Sequence, residues 1–204
     1  MSKKSTVPQK IALQDNFKRK YSFGELYCAL TELPYAIRIL NKNKKLKLIS
    51  DTFIERLQLA VTEVNGCAAC SYAHAGMALK MGMSSEEINS FLTADGAFVQ
   101  PEEAKAVLFA QHFADMRGKP EQKLVDTLIK EYGEDKAKTM QAGCKVMIAG
   151  NMYGLPYSAF QSRLKGVRYK NSSLLYELGM LIGGLVVLPV ALVHGLIKMI
   201  FVKR

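Results

Sequence analysis

The sequence predicts an all-α protein with one long apolar helix appended at its C-terminal end. Three observations carry that expectation. Apolar residues recur at three- and four-residue spacing along most of the chain, and no stretch alternates with period two for long enough to make a strand. Gly, Pro and Asn-Gly breakers punctuate the pattern at helix-length intervals. At 204 residues, one compact domain plus an appendage is expected, with ample chain for a core.

The elements follow in order. Residues 1–20 are polar and basic and are expected to form a loosely ordered tail, ahead of a helical domain over 21–170. From Ser22 to Lys47 the apolar set Phe23, Leu26, Leu30, Leu33, Ile37 and Leu40 has helical spacing, with an interruption expected at Pro34. Asp51 to Val64 reads as a second helix with Asp51 at its N-cap. Asn65-Gly66 breaks it, and Cys67 opens a helix that runs to about Lys80 and stops at Met81-Gly82. Ser84-Ser85-Glu86-Glu87 has cap chemistry and starts a short helix. Pro101-Glu102-Glu103 starts the next, which runs through Phe113 toward Met116. Pro120 to Tyr132 is closed by Gly133, and Asp135 to Leu155 is a longer helix that Pro156 ends or kinks before Tyr157 to Leu164.

The composition then changes. Leu178 to Ile197 carries no charged side chain, and His194 is its one ionisable group. At about 1.5 Å per residue, such a helix matches a hydrocarbon core of about 30 Å. Residues 174–202 are therefore expected to be a membrane anchor; the competing reading is a helix buried in an oligomer core and kinked at Pro189. Gly179 and Gly183 form a small-xxx-small pair suited to close helix approach. The larger basic group, Arg163, Lys165, Arg168 and Lys170, precedes the segment, and Lys198, Lys203 and Arg204 follow it; that order favours a cytoplasmic main domain.

The net charge of +10 raises nucleic acid as a partner, but no nucleic-acid-binding motif accompanies it, and none is expected. The N-terminal cations Lys3, Lys4, Lys10, Lys18, Arg19 and Lys20, and those from Arg38 to Lys47, read as solvated surface. Four cysteines (Cys28, Cys67, Cys70 and Cys144) are too few for a disulfide scaffold at this length. The polar opening Met1-Ser-Lys-Lys-Ser-Thr has no apolar signal core, so a reducing compartment is expected, where a CxxC pair is redox-active or metal-binding.

The chemistry concentrates in Cys67-Ala-Ala-Cys70-Ser-Tyr-Ala-His74. Two thiols three residues apart, with an imidazole four further on, are the parts of a reversible thiol–disulfide switch. On a helix these positions share a face, and the partial positive charge of a helix N-terminus favours thiolate. His74 can carry protons near neutral pH, and either Glu55 or Glu63 on the preceding helix can supply a carboxylate to the relay. Metal binding needs a fourth ligand, and no second CxxC or His pair lies nearby. Cys144 is expected as a buried free thiol, His112 as a satisfied core or interface histidine, and Met77, Met81, Met140 and Met147 as core filler. Tyr72 is placed near the mouth of the site, with packing its commoner fate.

The pattern Glu55-x11-Cys67-x2-Cys70-x3-His74 resembles the AhpD-like alkylhydroperoxidase branch of the carboxymuconolactone decarboxylase family. The approach Glu63-Val64-Asn65-Gly66-Cys67 and the later stretch from Asn151 through Phe160 to Gly166 are also similar to family segments, so the resemblance spans roughly residues 20–166. It implies an all-helical fold assembled as homotrimers or hexamers. It further implies a thiol-dependent peroxidase or disulfide reductase acting on a hydroperoxide or a partner disulfide. Cys70 would attack and become a sulfenic acid, Cys67 would resolve it to a Cys67–Cys70 disulfide, and His74 with Glu55 would relay protons. The redox disulfide would stand in place of a cofactor. In members that work with a peroxiredoxin, a lipoyl-bearing or thioredoxin-like donor restores the thiols. Ala69 stands where some members carry a second imidazole, and the decarboxylating relatives lack the CxxC pair. The competing functional reading is a membrane-associated redox sensor or scaffold with little turnover.

Overall fold

The computed structural model describes residues 7–201, and all the regular structure among them is helical. The helices are α1 (Phe23–Leu46), α2 (Asp51–Asn65), α3 (Ala68–Lys80), α4 (Ser85–Thr93), α5 (Ala104–Asp115), α6 (Gln122–Tyr132), α7 (Glu134–Leu164) and α8 (Leu174–Phe201). The expected all-α class, with an apolar C-terminal helix, is what the chain adopts. Lys3, Lys4, Lys203 and Arg204 lie outside the described residues.

Helix α7 is the centre of the arrangement. It packs against α1, α2, α3, α5, α6 and α8, while α2 collects α3, α4 and α5 on its other sides. Small residues make this close packing feasible: Ala137, Ala142, Gly143, Ala149 and Ala159 of α7 are all buried.

Local chemistry explains most boundaries. Ser22 and Glu25 form a reciprocal capping box at the start of α1. Ser50, not Asp51, caps α2, its hydroxyl accepting from the Phe53 N–H; Asp51 occupies the first turn, where its charge suits the helix dipole. Ser84 caps α4 by the same means. Pro101 to Glu103 form a turn ahead of α5 rather than its first helical turn.

Neither proline ends its helix. α1 continues through Pro34 and α7 through Pro156. An interior proline removes one backbone hydrogen bond and disfavours a helix by about 3 kcal/mol. Both helices offset this through packing along their length, α1 against α7 and α8, and α7 against six partners.

The expected loose tail is also corrected over residues 7–20. Phe17 is buried, with its ring edge-on to Tyr169 and Tyr176 at centroid distances of 4.8 and 5.7 Å. Gln14 donates to the Gly66 carbonyl, Tyr169 donates to the Gln14 side chain, and the Phe17 N–H donates to Asn171. The segment threads between the α2–α3 turn and the α7–α8 connection, so its few apolar and amide groups find partners that polarity alone does not predict.

Helix α8 runs alongside α1 in the same direction. Gly183 faces Phe23, Gly184 faces Leu26 and Tyr153, and Gly195 sits against Thr31 and Pro34. A Cβ at Gly195 would collide with the Thr31 carbonyl, so glycine is required there by space. Gly179 meets nothing within 4 Å, so the expected Gly179–Gly183 pair is not the contact that forms. Glu177, fully buried, accepts two hydrogen bonds of 2.7 Å from Arg163 and one from Ser172. Arg163 thus leaves the basic group that precedes the apolar segment to hold α8 to α7.

Candidate active site

The site is built where α2 ends and α3 begins. Gly66 has φ 69°, a left-handed conformation that closes α2, and a side chain there would strike Lys18. Cys67 follows in extended conformation as the N-cap of α3, so the new helix starts one residue later than the sequence expectation. Its sulfur accepts from the Cys70 N–H at 3.3 Å, the place an oxygen usually fills at a cap.

Cys67 and Cys70 are joined as a disulfide. Cys67 is 0% exposed and Cys70 8%. Cys70, but not Cys67, lines a cavity of about 390 Å³ together with His74, Ala73, Val146, Met147 and Tyr157. A reactant arriving from solvent therefore meets the Cys70 sulfur. The Gly150 carbonyl oxygen is 3.8 Å from that sulfur and would accept from it in the thiol form.

His74 is on the same wall, and its Nδ1 lies 2.7 Å from Glu55 Oε1. Glu55 is buried and on α2. In the tautomer that carries its proton on Nδ1, His74 donates to the Glu55 carboxylate and leaves Nε2 as an acceptor. Of the two candidate carboxylates, Glu55 meets the imidazole. Glu63 instead pairs with Lys18 at 2.9 Å.

Helix α7 supplies the floor. A Cβ on Gly154 would lie 2.5 Å from the Cys70 sulfur and 2.8 Å from the Cys67 sulfur, so the missing side chain is what admits the disulfide. One turn on, the Ser158 hydroxyl accepts from the Ala69 N–H at 3.0 Å and donates to the Gly154 carbonyl at 2.8 Å. It thereby satisfies one of the otherwise free N–H groups at the start of α3. Below the turn, Tyr21 donates to Asn65, Asn65 donates to Asn151, and Asn151 donates to Thr62, all buried. Burial pushes the Tyr21 hydroxyl up to about 12, so it stays a neutral donor. Outside the cavity, Arg56 bridges Glu87 and Glu103 and ties α2 to α4 and to the turn before α5; burial raises Glu103 despite the guanidinium.

Several expectations are sharpened. Tyr72 is exposed and does not line the cavity; Tyr157 does. Met77 and Met81 are exposed rather than core, whereas Met140 and Met147 are buried. Of the two readings of His112, the satisfied core histidine is not what forms: its Nε2 is buried and has no hydrogen-bond partner among the described residues. Cys144 is a buried free thiol, and burial pushes its pKa to about 12, which keeps it protonated and inert. Among the described residues no cluster of three His, Cys, Asp or Glu side chains could hold a metal. Sequence reasoning passed over Gly150, Gly154 and Ser158 as individual residues, although they fall in or beside the Asn151–Phe160 stretch already noted.

Residues 32–112 match the carboxymuconolactone decarboxylase family. The matched segment runs from within α1 to within α5 and contains Glu55, Cys67, Cys70 and His74. The resemblance drawn from the Glu-x11-Cys-x2-Cys-x3-His pattern thus holds at the level of this family, within which the AhpD-like branch falls. Helices α6, α7 and α8 lie outside the match, so the floor of the site comes from beyond the family segment. No curated protein and no solved structure gives a significant match.

Proposed function

We propose that this protein is a thiol-dependent peroxidase or disulfide reductase of the AhpD-like kind. The observation that carries the reading is the shared cavity: it opens onto Cys70 and His74, while Cys67 is sealed behind and Glu55 holds His74 Nδ1.

In the reduced protein, His74 Nε2 takes the Cys70 proton. The thiolate attacks the outer oxygen of a hydroperoxide, the O–O bond breaks, and the leaving alkoxide takes the proton back to depart as alcohol. Cys70 is then a sulfenic acid. Cys67 attacks the Cys70 sulfur, hydroxide leaves with a proton as water, and the Cys67–Cys70 bond forms. Two electrons and two protons from a dithiol donor, lipoyl-bearing or thioredoxin-like, return the pair to thiols. A partner disulfide is handled by the same pair through a mixed disulfide at Cys70. Assembly as a trimer or hexamer belongs to the same proposal, as does a peroxiredoxin partner.

Thiol titration with mass spectrometry, before and after limiting hydroperoxide, tests it. The expected result is loss of two thiols, with Cys67→Ser trapping oxidation at Cys70. Cys70→Ser and Cys67→Ser should each abolish dithiol-dependent peroxide turnover, and His74→Gln should lower it by about 10²–10⁴-fold. Normal turnover in either cysteine variant sinks the reading. Slow turnover joined to an oxidation-dependent change in assembly would favour the sensor alternative.

A further inference from the structure

The outward face of α8 is apolar from end to end. Leu175, Ile182, Val186, Val190, Val193, Ile197 and Ile200 recur at three-, four- and seven-residue spacing and are all exposed, Val186 at 68% and Ile200 at 74%. The opposite face is committed to the body. Glu177 is clamped by Arg163 near one end and Lys198 donates to Thr31 near the other, with three glycines pressed against α1 and α7 between them. By length and composition α8 is able to cross a membrane. To do so in this arrangement it would carry α1 into hydrocarbon, with the Glu25–Arg117, Glu32–Lys145 and Lys42–Asp135 pairs.

We propose that α8 beds its outward face into an anionic lipid surface, with its axis in the membrane plane rather than across it. The charge distribution selects this occupant. Arg38, Lys42 and Lys45 line a groove of about 560 Å³ between α1 and α8, beside Leu196 and Met199. At the other end Lys20 sits 4.4 Å over the Tyr176 ring. Cations at both ends of one apolar stripe suit a helix lying at the headgroup boundary, where anionic lipid attracts them. A second copy on this face would bring together two chains of net charge +10.

The chain has no tryptophan, so single introduced tryptophans report position without background. Full-length Ile182→Trp, Val190→Trp and Ile197→Trp are mixed with phosphatidylcholine vesicles containing phosphatidylglycerol, and quenching by phospholipids brominated at different depths is measured. The expected result is similar, shallow quenching at all three positions. Binding should weaken with added salt, and by about fivefold for each of Arg38→Gln and Lys45→Gln. Val186→Asp with Val190→Asp should abolish vesicle flotation while leaving helical circular dichroism and soluble dithiol-dependent turnover unchanged. Deep quenching at Val190 with shallow ends overturns the proposal in favour of a spanning helix. Absence of quenching with sedimentation as a dimer overturns it in favour of a second copy, and absence of both overturns it outright. Absence of peroxide turnover in the wild-type chain, with the quenching pattern intact, would refute the redox reading alone.

Discussion

Replacing Gly154 by alanine adds one methyl group against both sulfurs of the disulfide. The added carbon would stand 2.5 Å from the Cys70 sulfur and 2.8 Å from the Cys67 sulfur, well inside van der Waals contact. Neither sulfur can swing away, because each is tied to the other and Cys67 is sealed in the core. Relief must come from parting α3 and α7, and overpacking of this kind costs roughly 1–3 kcal/mol. Gly→Ala inside a helix otherwise stabilises by about 0.8–1 kcal/mol through propensity. The internal control is Gly76→Ala in α3, where nothing lies within 4 Å of the new carbon. The two variants should shift in opposite directions. For a chain of this size each kcal/mol corresponds to about 2–4 °C, so thermal unfolding should fall by several degrees for Gly154→Ala and rise slightly for Gly76→Ala. Oxidised protein followed by circular dichroism gives the shift, and a peroxide assay with a soluble dithiol gives the functional loss. If Gly154→Ala is as stable as Gly76→Ala and turns over normally, α7 does not press on the disulfide as described.

Two further outcomes follow from side-chain environments. Hydrogen bonds from Arg117, chiefly, hold the Glu25 carboxyl down at about 2. Because the folded value is depressed, the interaction stabilises the fold above the ordinary glutamate range and is lost as pH falls from about 4.5 toward 2. The difference in unfolding temperature between wild type and Arg117→Gln should therefore shrink across that window; a constant difference would refute the assignment. Iodoacetamide at mildly alkaline pH should alkylate the exposed Cys28 and spare Cys144, whose thiol burial pushes to about 12; equal labelling in the native state would contradict the burial.

How legible the site was in the sequence depends on how local each contact is. Cys67, Cys70 and His74 share one helix face, so spacing alone brings them together, and the Gly66 break announces a new helix. Choosing between Glu55 and Glu63 depended on the resemblance, because both sit on one helix at similar angles; the structure separates them by giving Glu63 to Lys18. The floor was not legible residue by residue. Gly150, Gly154 and Ser158 act across about 80 or more positions of chain, and small residues in a helix have no pattern that says what they admit. The prolines misled for a related reason: propensity is a local signal, and α1 and α7 are held by packing at both proline sites. Residues 7–20 read as a tail because their anchoring groups, Gln14 and Phe17, are isolated among polar neighbours.

The appended helix α8 is more closely tied to the site than its composition suggests. Tyr153 and Gly154 are consecutive on α7, yet Tyr153 packs against Gly184 and donates to the Leu181 carbonyl, while Gly154 bears on the disulfide. The wall behind the Cys67–Cys70 disulfide is thus held in place by the apolar helix. Glu177 and Arg163 add an ion-pair link, with side-chain exposures of 0% and 16%. Removing one partner of such a pair leaves the other without its counter-charge and is destabilising, whereas replacing both with apolar groups is often neutral. Glu177→Gln should accordingly lower the unfolding temperature of the whole helical domain, and Glu177→Leu with Arg163→Met should recover much of it. Thermal unfolding of full-length protein in mild detergent measures both. An independent anchor would leave the transition of the helical domain unmoved by Glu177→Gln. That result would detach α8 from the helical domain and return it to the role of a tether.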